Sequence, residues 1–142
     1  MKSKKHKNFT LVEILIVVGI IALVTSLALP TYLNHMKNAR VSAVQAQTTV
    51  LYQAVTSFSM DMKRLPDVNI GLAELLENTS NSAKWKGPYL EVYELPLDPW
   101  DNDYIYVVES NGRFEILSYG ADGQLGGEGE NADISNRGIK KQ

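Results

Sequence analysis

Apolar residues follow two different patterns along the chain, and the first is a continuous run near the N-terminus. From Phe9 to Leu29 almost every position is apolar, and Glu13 is the only formal charge in these twenty-one residues. As a helix the run is about 31 Å long, close to one bilayer hydrocarbon thickness. A carboxylate near the middle of a bilayer costs about 2.5–3.5 kcal/mol, so one kept there usually has a partner. The pattern predicts a membrane span at 9–29 in which Glu13 pairs with another group.

Beyond the span, apolar residues recur at helical spacing with polar residues between them. The repeat at three, four and seven positions comprises Leu33, Met36, Ala43, Val44, Leu51, Val55, Phe58 and Met62. It predicts that the helix continues to about residue 62, with a transmembrane half followed by an amphipathic half. Pro30 lies at the junction and removes an amide that would bond the Ser26 carbonyl. It therefore predicts a kink, or it marks the membrane exit, and both can hold.

The C-terminal half predicts a short helix and a small sheet. Arg64-Leu65-Pro66-Asp67 ends the long helix, and residues 71–78 indicate a short second helix with leucines on one face. Two β-rich runs between about 104 and 118 flank Ser110-Asn111-Gly112, and Asn-Gly between such runs predicts a hairpin. The fold class is therefore α+β, with the long N-terminal helix packed on a small C-terminal antiparallel β-sheet.

The charges at the N-terminus predict the orientation of the span. Residues 1–8 contain four lysines, and the positive-inside bias keeps this end in the cytoplasm while the C-terminal bulk is exported. A secretory signal peptide also begins in this way, but its apolar region is shorter and a small-residue cleavage site follows it. Here the apolar run crosses Pro30 into polar helical sequence, which disfavours that interpretation.

Composition limits what the rest of the chain can do. Of 142 residues, about eighty remain for one modest soluble domain. Without residues 1–8, ten Lys+Arg remain against 16 Asp+Glu, a formal charge of −6 that argues against nucleic-acid binding. The absence of cysteine excludes disulfides, so a small domain needs another stabilising cross-link. The two histidines, His6 and His35, lie in the leader and beside the membrane, and no nucleophile, base and orienting group occur together.

The order of a basic leader, Phe9-Thr10-Leu11-Val12-Glu13 and an apolar helix containing Pro30 resembles the class III signal of type IV pilins and type II secretion pseudopilins. The resemblance implies that a prepilin peptidase cuts between Asn8 and Phe9 and methylates the new Phe9 amine. It also implies that this amine meets Glu13 of a neighbouring subunit during assembly. An ammonium and a carboxylate attract strongly in a low-dielectric medium, whereas either alone is penalised. The family usually has glycine where this chain has Asn8.

Further motifs resemble the major pseudopilins of type II secretion over nearly the whole chain. In order they are Leu65-Pro66, Gly71-Leu72, Gly87-Pro88-Tyr89, Leu95-Pro96, Asp98-Pro99-Trp100 and Tyr104. Asp98-Pro99-Trp100 is the most specific of them, and we interpret it as structural, with Asp and Pro setting a turn and Trp100 filling the core. The family usually continues with glycine where this chain has Asp101.

An acidic loop at residues 119–133 is the remaining candidate site. Calcium takes six to eight oxygen ligands, and the loop's glycines would let backbone carbonyls fold inward. The spacing does not match an EF-hand, and taken alone such a stretch is more often a solvated loop. The resemblance nevertheless implies a calcium site. The implied ligands are the carboxylates of Asp122 and Asp133, the carbonyls of Tyr119 and Gln124, the side chain of Asn131 and, more weakly, that of Glu128.

These observations favour a structural subunit of a type II secretion pseudopilus, which polymerises through its N-terminal helix to drive export of folded proteins across the outer membrane. The resemblance implies minor pseudopilins, a prepilin peptidase and an inner-membrane assembly platform as partners, with residues 30–142 in the periplasm. The alternative is a type IV pilin for adhesion, motility or DNA uptake. Such pilins commonly close the C-terminal region with a disulfide, so the absence of cysteine and the acidic loop count against it. A membrane-anchored enzyme is the third and weakest alternative.

Overall fold

The computed structural model describes residues 9–139, so the leader and the predicted cleavage position beside Asn8 lie outside the described residues. The chain forms two compact units, the first ending at Asn38 and the second beginning at Ala39. The described part of the first unit is almost entirely helical. The second unit contains the amphipathic helix and a small antiparallel sheet, which confirms the predicted α+β fold class.

Helix α1 extends over 52 residues, Leu11–Met62, close to the predicted range of 9–62. It continues through Pro30, and the kink expected there stays a prediction. The helix ends where Lys63 takes a left-handed φ of 57° and donates its amide to the Ser59 carbonyl at 3.0 Å. A left-handed residue just past the last turn closes many helices, because it gives a terminal carbonyl a partner.

One face of α1 supplies most of the core of the second unit. Its buried residues follow helical spacing and are Val44, Thr48, Leu51, Ala54, Val55, Phe58 and Met62. Those from Leu51 to Met62 form one core cluster with Leu72, Leu75, Leu90 and Ile116. Full burial of an apolar side chain of this size contributes about 1.5–3 kcal/mol. The expectation that Ala43 shares this face is wrong, since it is exposed. Thr48 is buried instead, because its hydroxyl donates to the Val44 carbonyl at 2.9 Å.

The short helix expected at 71–78 is a 3₁₀ helix confined to Gly71–Leu75. Within it Glu74 is buried, and both of its carboxylate oxygens accept hydrogen bonds from the Arg64 guanidinium, at 2.8 and 2.9 Å. The backbone carbonyl of Glu74 also accepts a hydrogen bond from the Trp85 indole N–H, at 3.0 Å. A helix as short as this commonly has the tighter 3₁₀ geometry.

The predicted hairpin is present. Strand β1, Ile105–Val108, pairs antiparallel with β2, Phe114–Ser118. Between them the Glu109 amide donates to the Arg113 carbonyl at 2.7 Å, and Gly112 adopts a φ of 78°. A left-handed residue is what a hairpin of this kind requires, and glycine supplies it without a Cβ clash.

Two further strands complete the sheet, and the sequence did not predict them. Strand β3, Ile134–Ser135, pairs with β2, and β4, Gly138–Ile139, pairs with β3, so the sheet order is β1-β2-β3-β4. The Asn136 amide donates to the Ile116 carbonyl at 3.1 Å, and its side-chain oxygen accepts the Ile116 amide at 3.0 Å. The end of the described chain is therefore anchored to the sheet by backbone pairing.

The Asp98-Pro99-Trp100 segment forms the predicted turn. The Asp98 carboxylate is buried and accepts the amides of Trp100 and Asn102, each at 2.9 Å. Asp101 takes a φ of 65°, the left-handed conformation that glycine would adopt more readily.

The expectation that Trp100 fills the core is wrong. Its side chain is half-buried outside the main core cluster, and the Arg40 guanidinium lies 5.9 Å from the ring centroid. A guanidinium over an indole gains cation–π attraction while it keeps contact with water. A guanidinium in the inner core would lose its contact with water, which explains why Arg40 and Trp100 lie nearer the surface.

Candidate functional site

The apolar part of α1 is the first candidate site. Within the described residues, α1 is long and apolar enough to cross a membrane, by length and composition, and none of its most apolar window is buried. Phe9, at the expected new N-terminus, is 77% exposed, and Pro30 is exposed as well. Exposed apolar surface on this scale is costly in water, so the segment requires lipid or other apolar helices around it.

Glu13 makes a contact that the sequence interpretation missed. Its carboxylate accepts the Thr10 amide at 3.3 Å, while the Thr10 hydroxyl accepts the Glu13 amide at 3.2 Å. These reciprocal bonds are a capping box, which satisfies two of the free amides at a helix N-terminus. The Thr-x-x-Glu spacing in the sequence is typical of a capping box and could have predicted this contact. Glu13 thus caps its own helix, and its pairing with a neighbouring amine stays a prediction.

The acidic loop is the second candidate site. It leaves β2 through a 3₁₀ turn, Gly120–Asp122, and returns through another, Gly129–Asn131. A Cβ on Gly120 would lie 2.5 Å from the Glu130 carbonyl oxygen. The two ends of the loop are therefore in direct contact, and only glycine fits at that point. The residues of the predicted site lie on a closed loop.

The expected ligands occupy different environments within this loop. Asp122 is exposed, and its carboxylate accepts the Gln124 amide at 3.1 Å. Gln124 and Glu128 are also exposed, whereas Tyr119 and Asn131 are half-buried. Asp133 is only 3% exposed, and its carboxylate accepts the Gly126 amide at 3.0 Å. The structure places all these residues on one loop but does not bring their carboxylates into one cluster.

Two observations bear on whether calcium fits here. Among residues 9–139, no three carboxylate, imidazole or thiol side chains are close enough to hold a metal by themselves, so backbone carbonyls would have to complete the shell. Over the same residues, no Lys, Arg or His forms an ion pair with the buried Asp133. Buried carboxylates are normally paired or bound to a metal. The all-oxygen donor set and this carboxylate fit a hard cation.

Arg40 connects the second arm of the loop to α1. Its guanidinium binds the Glu130 carboxylate at 3.2 Å and lies over the Trp100 ring. Both members of the ion pair are more than 30% exposed, so the pair alone is worth at most about 1 kcal/mol. Sequence spacing gave no signal for this contact, because Arg40 and Glu130 are ninety positions apart.

Comparison with known proteins identifies two matching families. A family described as "Type II secretion system (T2SS), protein G" matches residues 31–137, and one described as "Prokaryotic N-terminal methylation motif" matches residues 4–29. Together these two matches cover most of the chain, including both candidate sites.

Individual relatives match over nearly their full length. The type II secretion system core protein G of Vibrio cholerae is 33% identical, over 98% of this chain and 97% of that protein. The corresponding protein of Pseudomonas aeruginosa is 31% identical over 96% and 98%, and that of Escherichia coli K12 is 33% identical over 99% and 97%. The crystal structure of the major pseudopilin of enterohaemorrhagic E. coli shares the fold, with a TM-score of 0.58 at 23% identity over 73% of this chain and 91% of that one.

Proposed function

This chain belongs to the protein G family of the type II secretion system, and from that premise we propose how it works as a structural subunit of the pseudopilus. The observation that carries the proposal is the uncovered apolar surface of α1 with Glu13 inside it. Copies of one helix bury such a surface against each other when they assemble head to tail. A heterologous contact generates a filament when its rotation does not close into a ring, and a filament is the assembly that we propose here. As a structural subunit the protein is not an enzyme.

The protein is membrane-anchored through a single span before it assembles. We infer that the N-terminus faces the cytoplasm and the second unit faces the periplasm, because the lysine-rich leader stays on the cytoplasmic side. A prepilin peptidase then removes residues 1–8 and methylates the Phe9 amine. Minor pseudopilins and an inner-membrane assembly platform are the further partners that this function requires.

Assembly then depends on the charge of Glu13. In the membrane its carboxylate is expensive unless a cation neutralises it, and the Phe9 amine of a neighbouring copy is the cation that this function offers. The pair would fix the axial register of one subunit against the next. The capping box with Thr10 keeps the carboxylate at the start of the helix, near the position where that amine would arrive.

Calcium is the second part of the proposal. The acidic loop would hold it through the carboxylates of Asp122 and Asp133 and the carbonyls of Tyr119 and Gln124, with Asn131 as a further ligand. The ion would neutralise the buried Asp133 and link the two arms of the loop. It would thereby supply the cross-link that a cysteine-free domain lacks.

Complementation tests this function against the type IV pilin alternative. The full chain is expressed in two bacterial hosts, one lacking its own major pseudopilin and one lacking its own major pilin. Release of folded exoproteins in the first host, with filaments in the sheared fraction, is the expected result. Restored twitching or DNA uptake in the second host, without exoprotein release in the first, would instead identify a type IV pilin.

A further inference from the structure

The turn at residues 98–102, here called the Asp98 turn, is bonded to the start of the acidic loop, although no residue of the turn was expected to belong to the site. Its polar groups contact the first arm, residues 118–123. Its Trp100 ring lies beneath Arg40, which binds Glu130 in the second arm. The turn therefore contacts the first arm directly through hydrogen bonds and is linked to the second arm, residues 129–131, only through Arg40.

Two consecutive peptide planes are fixed at the start of the loop. The Gly120 amide donates to the Ser118 hydroxyl at 3.1 Å, and that hydroxyl donates to the buried Asp98 carboxylate. The next plane is held by Asn102, whose side-chain amide donates to the Gly120 carbonyl at 2.9 Å. The Gly120 carbonyl is thus bonded directly to Asn102, and the Gly120 amide is linked to Asp98 through the Ser118 hydroxyl.

These bonds bear directly on the expected ligands. A peptide unit is planar and trans, so fixing the Gly120 amide also fixes the Tyr119 carbonyl, which points the opposite way. Fixing the Gly120 carbonyl sets the direction in which the chain continues to Asp122 and Gln124. A Cβ added to Gly123 would lie 3.3 Å from the side-chain oxygen of Asn102, so the Asn102 side chain fills the space beside the first arm.

We propose that Asn102 is a positioning residue that sets the calcium affinity of the acidic loop without binding the ion. The proposal rests on the calcium site of the proposed function. Its physical basis is preorganisation: a loop already held in its binding geometry loses less conformational entropy when the ion arrives. Residues that orient metal ligands in this way typically change metal affinity by about 10- to 100-fold when they are removed.

The test compares Asn102→Ala and Asn102→Asp with wild type in the full chain in detergent micelles. Calcium affinity is measured by calorimetry. The Asp variant is nearly isosteric and adds a negative charge beside the loop, so charge alone would tighten calcium binding. Loss of the amide donor to the Gly120 carbonyl should weaken it instead. We expect at least about tenfold weaker binding in both variants.

A second readout needs no metal. With chelator present, amide hydrogen exchange over residues 119–124 should be faster in both Asn102 variants than in wild type, while exchange in β1 and β2 stays unchanged. Asn111→Ala is the matched control, because Asn111 makes similar local bonds in the exposed hairpin turn, to Glu109 and Arg113. It should leave both calcium affinity and loop exchange unaltered.

The outcomes separate the two proposals. If wild type binds no calcium, the calcium part of the proposed function fails and this inference falls with it. If wild type binds and the Asn102 variants bind equally well or more tightly, only the positioning role is overturned. Faster exchange throughout β1 and β2, with unchanged affinity, would reduce Asn102 to a general structural residue and overturn the inference.

Discussion

Three carboxylates of this chain lie in different surroundings and have different roles. Glu13 lies on an exposed apolar helix and caps its first turn. Glu74 is 2% exposed and is neutralised by Arg64. Asp133 is equally buried but receives an amide instead of a cation. The sequence singled out the first and the third, because each interrupts an unusual local composition. The composition around Glu74 is not unusual, and only the fold brings Arg64 into contact with it.

Glu74→Gln should destabilise the second unit at neutral pH. Removing bonds to a charged group costs about 1.5–3 kcal/mol. We expect a loss of stability near the lower end of this range, because the Arg64 side chain is 39% exposed and solvent screens its charge. Urea unfolding followed by the fluorescence of Trp85 and Trp100, the only two tryptophans, measures the difference. Glu77→Gln is the control, since Glu77 is exposed, and it should change stability by less than about 0.5 kcal/mol.

The same pair predicts how this stability depends on pH. The pKa of Glu74 is lowered from its ordinary 4.5, chiefly because Arg64 donates hydrogen bonds to the ionised form, while burial opposes this effect. A carboxylate with a lowered folded pKa stabilises the fold above its unfolded pKa and loses that contribution as pH falls through the folded value. The difference between wild type and Glu74→Gln should therefore shrink below about pH 4.5. A difference that is constant from pH 7 to the acid limit would contradict the assignment.

Asp101→Gly should stabilise the second unit. A left-handed conformation costs an ordinary L-residue about 1–2 kcal/mol, and glycine avoids that cost. Glycine also increases the entropy of the unfolded chain, which removes about 0.5–1 kcal/mol of the gain. The net effect should be a gain of up to about 1.5 kcal/mol in the free energy of unfolding, measured by thermal or urea unfolding. Asp103→Gly provides the contrast, because Asp103 is paired in a β-bridge with Leu97 and lacks a positive φ. It should destabilise.

At the scale of elements, local pattern was sufficient for α1 and the hairpin. Helical spacing predicted the buried face from Val44 to Met62, and Asn-Gly predicted the turn before β2. The two-residue strands β3 and β4 are too short to show periodicity. Strand β3 forms by pairing with the more distant β2, and β4 forms by pairing with the adjacent β3. The 3₁₀ geometry at Gly71–Leu75 and the Asn102 contact to Gly120 depend on tertiary contacts in the same way.

Calcium should stabilise the second unit through the acidic loop. A ligand that binds only the folded state adds about 2.7 kcal/mol at a hundredfold excess over its dissociation constant, which raises the melting temperature of a domain this small by several degrees. Asp122→Ala and Asp133→Ala should each abolish the calcium-dependent rise. Asp133→Ala should also lower stability in chelator, since its buried carboxylate binds the Gly126 amide, so each variant is compared with itself.

The choice of ion sharpens that experiment. Magnesium demands octahedral geometry and dehydrates reluctantly, so a loop of carbonyls and carboxylates should bind it poorly. Thermal melts of wild type with calcium, with magnesium and with chelator are therefore expected to give one high and two low melting temperatures. Three coincident melts would mean that residues 119–133 are a solvated turn.

At the scale of the whole molecule, the leader decides whether the filament function is available. Cleavage between Asn8 and Phe9 exposes the amine that Glu13 is predicted to pair with, so an unprocessed chain should not assemble. Asn8→Gly should speed cleavage, because glycine presents no side chain to the peptidase and gives the backbone more freedom. Coexpression with a prepilin peptidase and intact mass analysis report cleavage and methylation together. Equal rates for both chains would mean that Asn8 is no obstacle.

Assembly itself should depend on the charge of Glu13 and not on its cap. Glu13→Ala should insert into the membrane at least as well as wild type yet form no filaments, because burial becomes easier while the neighbour's ammonium is left unpaired.

Glu13→Gln separates the capping role of this side chain from its proposed role as a charge partner. Glutamine can still complete a capping box with Thr10 but carries no charge. Thr10→Val is the complementary change, since it removes the hydroxyl that accepts the Glu13 amide and keeps the carboxylate. Sheared filaments should therefore be absent from both Glu13 variants and reduced only modestly by Thr10→Val. Normal filaments from Glu13→Gln together with loss in Thr10→Val would assign the role to the cap and refute the charge pair.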